Sequence, residues 1–131
     1  MSPVSRVQRG DMTIREWAKA VRKSNAEHGW ESIVTNDNPG MFSEKMLLIV
    51  SEISEALEEF RDHRGISEIY YKPGKKPDDP EKPEGIPIEL ADVAIRLLDF
   101  CEANGIDLEE AIAEKHAYNL TRPFRHGGKK I

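Results

Sequence analysis

The sequence predicts an all-α domain of four helices. Three observations carry this reading: apolar residues recur at helical spacing in four blocks, two of the blocks open on capping boxes, and strand signals are almost missing. The chain has 131 residues, one domain's worth. Lysine and arginine total 19 against 24 aspartate and glutamate, a formal net charge of −5. That balance argues against a nucleic-acid polymer or an anionic membrane surface as partner. No apolar run approaches the roughly 20 residues of a spanning helix, and the N-terminus has no signal-peptide core, so the cytoplasm is the expected compartment. A single cysteine, Cys101, excludes an internal disulfide and a Cys-rich zinc site. With 38% hydrophobic residues the core is thin for a monomer, and assembly with further copies would bury more surface.

The first helix is expected to open at the box Thr13-x-x-Glu16 and to run through Ile14, Trp17, Ala18 and Val21 until Gly29. The second starts near Ser43, carries the stripe Met46, Val50, Ile53, Leu57 and Phe60, and ends by Gly65. The third begins after Pro87, with an apolar face of Leu90, Ala94, Leu97, Leu98 and Cys101, and stops at Asn104-Gly105. The fourth opens on Asp107-x-x-Glu110 and runs through Leu108, Ala111 and Ile112 to about Leu120, before Pro123. Glu68 to Tyr71 is the one short strand candidate. Pro73, Pro77, Pro80 and Pro83 crowd the segment between the second and third helices, so residues 72–86 are expected to be a mobile loop or extended arm that buries nothing. Residues 123–131 read as a flexible basic tail. The core of the single domain, 1–131, is then about 12–122.

Two acidic pairs stand out by placement. Glu52-x-x-Glu55 lies in the second helix and Glu89-x-x-Asp92 in the third. At about 100° per residue, each pair sits at the same offset, about 110°, from the centre of its apolar stripe. If the helices pack by those stripes, four carboxylates converge along one seam. Such a group repels itself unless a cation sits within it, and an oxygen-only donor set suits Mg²⁺, with Mn²⁺ able to substitute. The plainer reading is a solvated face of i, i+4 ion pairs. In the fourth helix Lys115, Asn119 and Arg122 share one face. Cations there either complement the helix dipole or, beside an acidic metal site, donate to phosphate oxygens.

The ordered set Glu52-Ile-Ser-Glu55, Glu89-Leu-Ala-Asp92 and Lys115-x-x-x-Asn119-x-x-Arg122 resembles the MazG-like nucleoside triphosphate pyrophosphohydrolases of the all-α NTP pyrophosphatase superfamily. The resemblance covers about residues 12–122. It implies a four-helix MazG-like bundle assembling as a homodimer or homotetramer, with the proline-rich segment inserted between helices two and three. It also implies Mg²⁺ held by Glu52, Glu55, Glu89 and Asp92, and cleavage of a nucleoside triphosphate substrate to the monophosphate and pyrophosphate. The chain departs from the family in the long gap between Glu55 and Glu89, in Ser51 where some members have a further Glu, and in Arg96 where a related dCTP-type enzyme has an aromatic.

Under this reading Glu52 or Glu55 accepts a proton from water, with Glu59 as an outer candidate, and Lys115 and Arg122 neutralise the leaving pyrophosphate. Arg96 either joins the acidic cluster or pairs with Asp92 or Asp99. Trp30 either stacks on the base or is a core or interface aromatic; Tyr118 reaches the base or packs; Asn119 reads a base edge or holds a phosphate. Two alternatives remain open: a phosphoribosyl-ATP or dUTP pyrophosphohydrolase of the same fold, and a non-catalytic helical interaction module.

Overall fold

A computed structural model describes residues 10–131; the first nine residues of the expected domain lie outside the described residues. The chain is mostly helical. Its elements are α1 (Ile14–Glu27), α2 (Gly40–Arg61), β1 (Tyr70–Lys72), β2 (Lys82–Glu84), α3 (Ile86–Ala103), α4 (Leu108–Leu120) and a short kinked turn of helix, α5 (Arg125–Gly128). No helix among the described residues is long and apolar enough to cross a membrane.

Local chemistry accounts for the helix ends. The Thr13 hydroxyl accepts from the Glu16 N–H at 3.1 Å, and the Glu16 carboxylate accepts the Thr13 N–H in return, a complete capping box. Asp107 caps α4 by accepting from the Glu110 N–H at 3.1 Å. Pro87 occupies the first turn of α3, where no N–H is needed, and α3 stops at Asn104 with Gly105 at φ +71°. Helix α2 begins at Gly40, three residues before the Ser43 expected from the sequence.

Helices α2 and α3 share the most extensive contact, α1 packs on α3, and α4 makes its principal contacts with α1. The buried apolar residues are Ala18, Met41, Ala56, Ile86, Phe100 and Cys101, with Phe42 edge-on to Phe100 at 5.7 Å between ring centres. This core differs from the expected one. On α2 the buried residues are Met41, Glu52 and Ala56, so the inward face centres on Glu52 itself. The stripe Val50, Ile53, Leu57 and Phe60, about 110° round the helix, is left half or more exposed. Leu90 and Ala94 on α3 are likewise exposed. Helix α4 buries none of its residues and is held at its start by Arg15, which reaches Asp107, Glu109 and Glu110 at 2.9, 2.6 and 3.5 Å.

The proline-rich segment also departs from expectation. Its ends fold back as an antiparallel hairpin, pairing Tyr70 with Glu84, Tyr71 with Pro83 and Lys72 with Lys82. Pro83 is tolerated because a two-stranded ribbon has outer edges that need no N–H donor. Far from burying nothing, the hairpin packs β2 on α3 and buries Glu84. Gly85 makes this junction possible. It sits at φ +121°, and a Cβ there would lie 2.3 Å from the Glu68 carbonyl oxygen. Replacing it therefore strains the backbone and forces it away from Glu68 at the base of the hairpin. Gly85→Ala is expected to lower stability by about 1–3 kcal/mol, measured by urea unfolding; an unchanged midpoint would show that the junction is not under this constraint.

Candidate metal centre

Packing α2 on α3 by their inward faces brings carboxylates together from both helices. Glu52, Glu55 and Glu89 each offer an oxygen, and the three atoms lie within 4.8 Å of one another. Glu52 is only 8% exposed and Glu89 only 7%, whereas Glu55 faces solvent. The convergence expected from the sequence is present by a different route: the acids lie in the helix–helix contact rather than flanking an apolar one. Asp92 is not in the triplet. It is half-buried beside it and lines the adjoining cavity.

Two features show how poorly this charge is satisfied within the chain. Arg96 donates from Nε to Glu52 Oε1 at 3.0 Å, while Glu52 Oε2 is buried with no hydrogen-bond partner. Glu89 is buried against the Glu55 and Glu52 carboxyls, which are its hydrogen-bonding neighbours. Burial, then the neighbouring Glu55 and Glu52, pushes the Glu89 carboxyl up to about 8. Burial and the Glu52 charge also raise Asp92, against the opposing pull of Arg96. A buried carboxylate oxygen without a partner, on a residue that belongs to a set of oxygen donors, fits a hard divalent cation such as Mg²⁺ or Mn²⁺.

Beside the triplet opens a cavity of about 600 Å³, whose walls include Trp30, Met41, Leu48 and Ile95 and whose floor includes Glu52, Asp92 and Arg96. A buried polar network fixes the Trp30 wall. Arg22 donates to Asp99 Oδ1 at 2.8 Å and to the Trp30 carbonyl at 2.5 Å, and the Ser32 hydroxyl donates to the other Asp99 oxygen. Asn104 donates to the Ser32 carbonyl and accepts from the Val34 N–H, both at 2.8 Å. The loop carrying Trp30 is thus tied to both α1 and α3, and the indole is left 64% exposed at the cavity wall.

Of the residues singled out from the sequence, Glu52, Asp92, Arg96 and Trp30 line this one cavity, and Glu55 and Glu89 complete the acidic triplet. Arg96 pairs with Glu52 rather than with Asp92 or Asp99. Lys115, Tyr118 and Arg122 gather separately: the Lys115 and Arg122 cations lie 4.9 and 5.8 Å from the centre of the Tyr118 ring. Neither they nor Asn119 line the cavity. Residues that pattern reading missed are Glu84, Asp99 and Asn104. Asn104 reads as a helix stop and Asp99 as a candidate partner of Arg96, and nothing local marks either as a clamp on a distant loop. Comparison with protein families, curated proteins and solved structures yields no match for the chain.

Between the ordinary carboxylate value of 4.5 and about 8, the metal-free folded chain holds a proton on Glu89 that the unfolded chain has released. Its stability therefore falls as pH rises through that window. In chelator, the melting temperature is expected to drop from pH 5 to pH 8, with a visibly smaller drop in Glu89→Gln. An identical slope in the two proteins would contradict this placement of the proton.

Proposed function

We propose that the chain is an Mg²⁺-dependent nucleoside triphosphate pyrophosphohydrolase of the MazG-like kind, releasing the nucleoside monophosphate and pyrophosphate from an NTP or dNTP. One observation carries the reading: the buried Glu52, one of whose oxygens has no hydrogen-bond partner, lines a nucleotide-sized cavity and lies among carboxylates from two helices. The ordered motifs that hold these acids point the same way.

In this reading Glu52, Glu55 and Glu89 would hold a divalent ion, which would supply positive charge for the triphosphate oxygens and make an attacking water more acidic. The chain's own residues do the rest. Glu52 has one oxygen on Arg96 and the other buried, so Glu55, facing solvent, is the carboxylate placed to accept the water's proton. The water oxygen attacks phosphorus, and the bond between the α- and β-phosphates breaks, with pyrophosphate leaving. Arg96, partly exposed and lining the cavity, is placed to turn from Glu52 to a phosphate oxygen. Trp30 offers a flat wall to the base, with Met41, Leu48 and Ile95 as further apolar surface.

The uncovered stripe Val50, Ile53, Leu57 and Phe60 is the surface that a homodimer or homotetramer would bury. Lys115, Asn119 and Arg122 meet phosphate in this proposal, and an assembly that moves or adds a copy of α4 is how they reach it. Light scattering that gives the monomer mass would contradict the assembly.

A panel of ribo- and deoxynucleoside triphosphates, assayed for pyrophosphate with and without Mg²⁺, tests the activity. Mg²⁺-dependent release is expected, falling about 100-fold or more in Glu55→Gln and Glu52→Gln while both proteins keep their helical content. A well-folded chain inert toward every nucleotide would overturn the enzyme reading and favour a binding module.

A further inference from the structure

The loop that follows α1 is clamped at several points. Arg22 donates to the Trp30 carbonyl, the Ser32 hydroxyl donates to Asp99, and Asn104 donates to the Ser32 carbonyl and accepts the Val34 N–H. Glu31 closes the same loop on itself. Its Oε1 accepts the Ser32 N–H at 2.8 Å and the Ile33 N–H at 3.0 Å. These bonds, the one from Ile33 foremost, hold the carboxyl below the usual carboxylate range, so at neutral pH it is ionised and can only accept. The second oxygen, Oε2, takes part in neither bond.

Glu31 and Trp30 line the cavity from this loop, and Lys45 lines it from α2. Lys45 is half-buried and forms no ion pair among the described residues. It precedes Glu52 by two helical turns, about 10 Å along the axis. The cavity therefore has two ends. Glu52, Asp92 and Arg96 mark the one that the proposed function gives to metal and phosphates; Trp30, Glu31 and Lys45 mark the other. Asp99 also lines the cavity, but Arg22 and Ser32 occupy its two oxygens. The Trp30 end thus offers a flat ring, a group that only accepts and a group that only donates.

We propose that Glu31 and Lys45 select the base of the nucleotide, favouring one with an amino group beside an unprotonated ring nitrogen, as in cytosine and adenine, over its deaminated counterpart. The inference rests on the nucleotide site proposed above and names its substrate class. In such a base the amino group donates and the adjacent ring nitrogen accepts, a polarity that matches a carboxylate beside an ammonium. Uracil and hypoxanthine reverse both positions: a carbonyl oxygen meets Glu31 and a ring N–H meets Lys45. Stacking on Trp30 is common to all bases and discriminates little. The clamped loop holds Glu31 in place before a ligand arrives, which keeps the ordering cost of binding small. Glu31 is exposed, so the selection is about tenfold rather than the far larger factor of a closed polar pocket.

The test compares kcat/KM for CTP against UTP and for ATP against ITP, from pyrophosphate release with Mg²⁺. Equilibrium dialysis of CMP and UMP accompanies it, since this needs no turnover. The wild-type chain is expected to favour CTP and ATP about tenfold and to bind CMP more tightly than UMP. In Glu31→Gln the amide oxygen can keep the Ser32 and Ile33 bonds while an NH₂ group replaces Oε2, so the preference is expected to vanish or reverse. Lys45→Met is expected to narrow both ratios. Because the two residues sit on different elements, a folding defect in one variant leaves the other to decide. Equal ratios in the wild type, with release intact, would overturn the base selection and leave the proposed activity standing. A preference that both variants keep would overturn the assignment to these residues. With no release from any nucleotide, CMP still bound in preference to UMP would overturn the activity alone; no such preference would overturn both.

Discussion

Helices α2 and α3 bury the acids Glu52 and Glu89 alongside Met41, Ala56, Ile86 and Phe100, and the candidate site is arranged around those two acids. Burying carboxylates against one another costs free energy twice, through lost hydration and through mutual repulsion. The chain offsets part of this with Arg96 on Glu52 and with a proton held on Glu89. Neither device satisfies Glu52 Oε2. A helix pair meant only to be stable would place Val50 and Leu57 in the contact and leave Glu52 in water. This pair does the reverse, an inversion that is understandable if a ligand completes the contact.

Secondary structure was legible because its signals are local. The reciprocal hydrogen bonds of Thr13 and Glu16, the cap at Asp107, Pro87 in a first turn and the stop at Asn104-Gly105 each depend on residues within a few positions of one another. The facing of α2 was not legible. Periodicity reports that apolar and acidic residues occupy different sides of a helix, but which side turns inward depends on what it meets. The expected stripe of Val50, Ile53, Leu57 and Phe60 was identified correctly as a stripe and wrongly as the contact with α3. The acidic pairs were found because their spacing is regular on each helix, and that regularity survives whichever face is buried.

The hairpin was hidden by composition. Four prolines among charged residues signal a segment that forms no core, and most of this one forms none. Its first and last few residues nevertheless pair, and Gly85 lets the chain pass close to the Glu68 backbone at the base of the hairpin. A single glycine before a proline-opened helix was the available clue to a tight junction. Asp99 and Asn104 were hidden for another reason: their partners Arg22 and Ser32 are far away in sequence, so only the folded chain shows that they anchor the loop bearing Trp30.

We propose that Glu52 and Glu89 share a cation between α2 and α3. Anomalous diffraction from crystals grown with Mn²⁺ addresses it most directly. The expected map has a manganese peak within bonding distance of Glu52 Oε2 and a Glu89 oxygen. A map without a peak there at saturating Mn²⁺, with the Arg96–Glu52 pair unchanged, would contradict it.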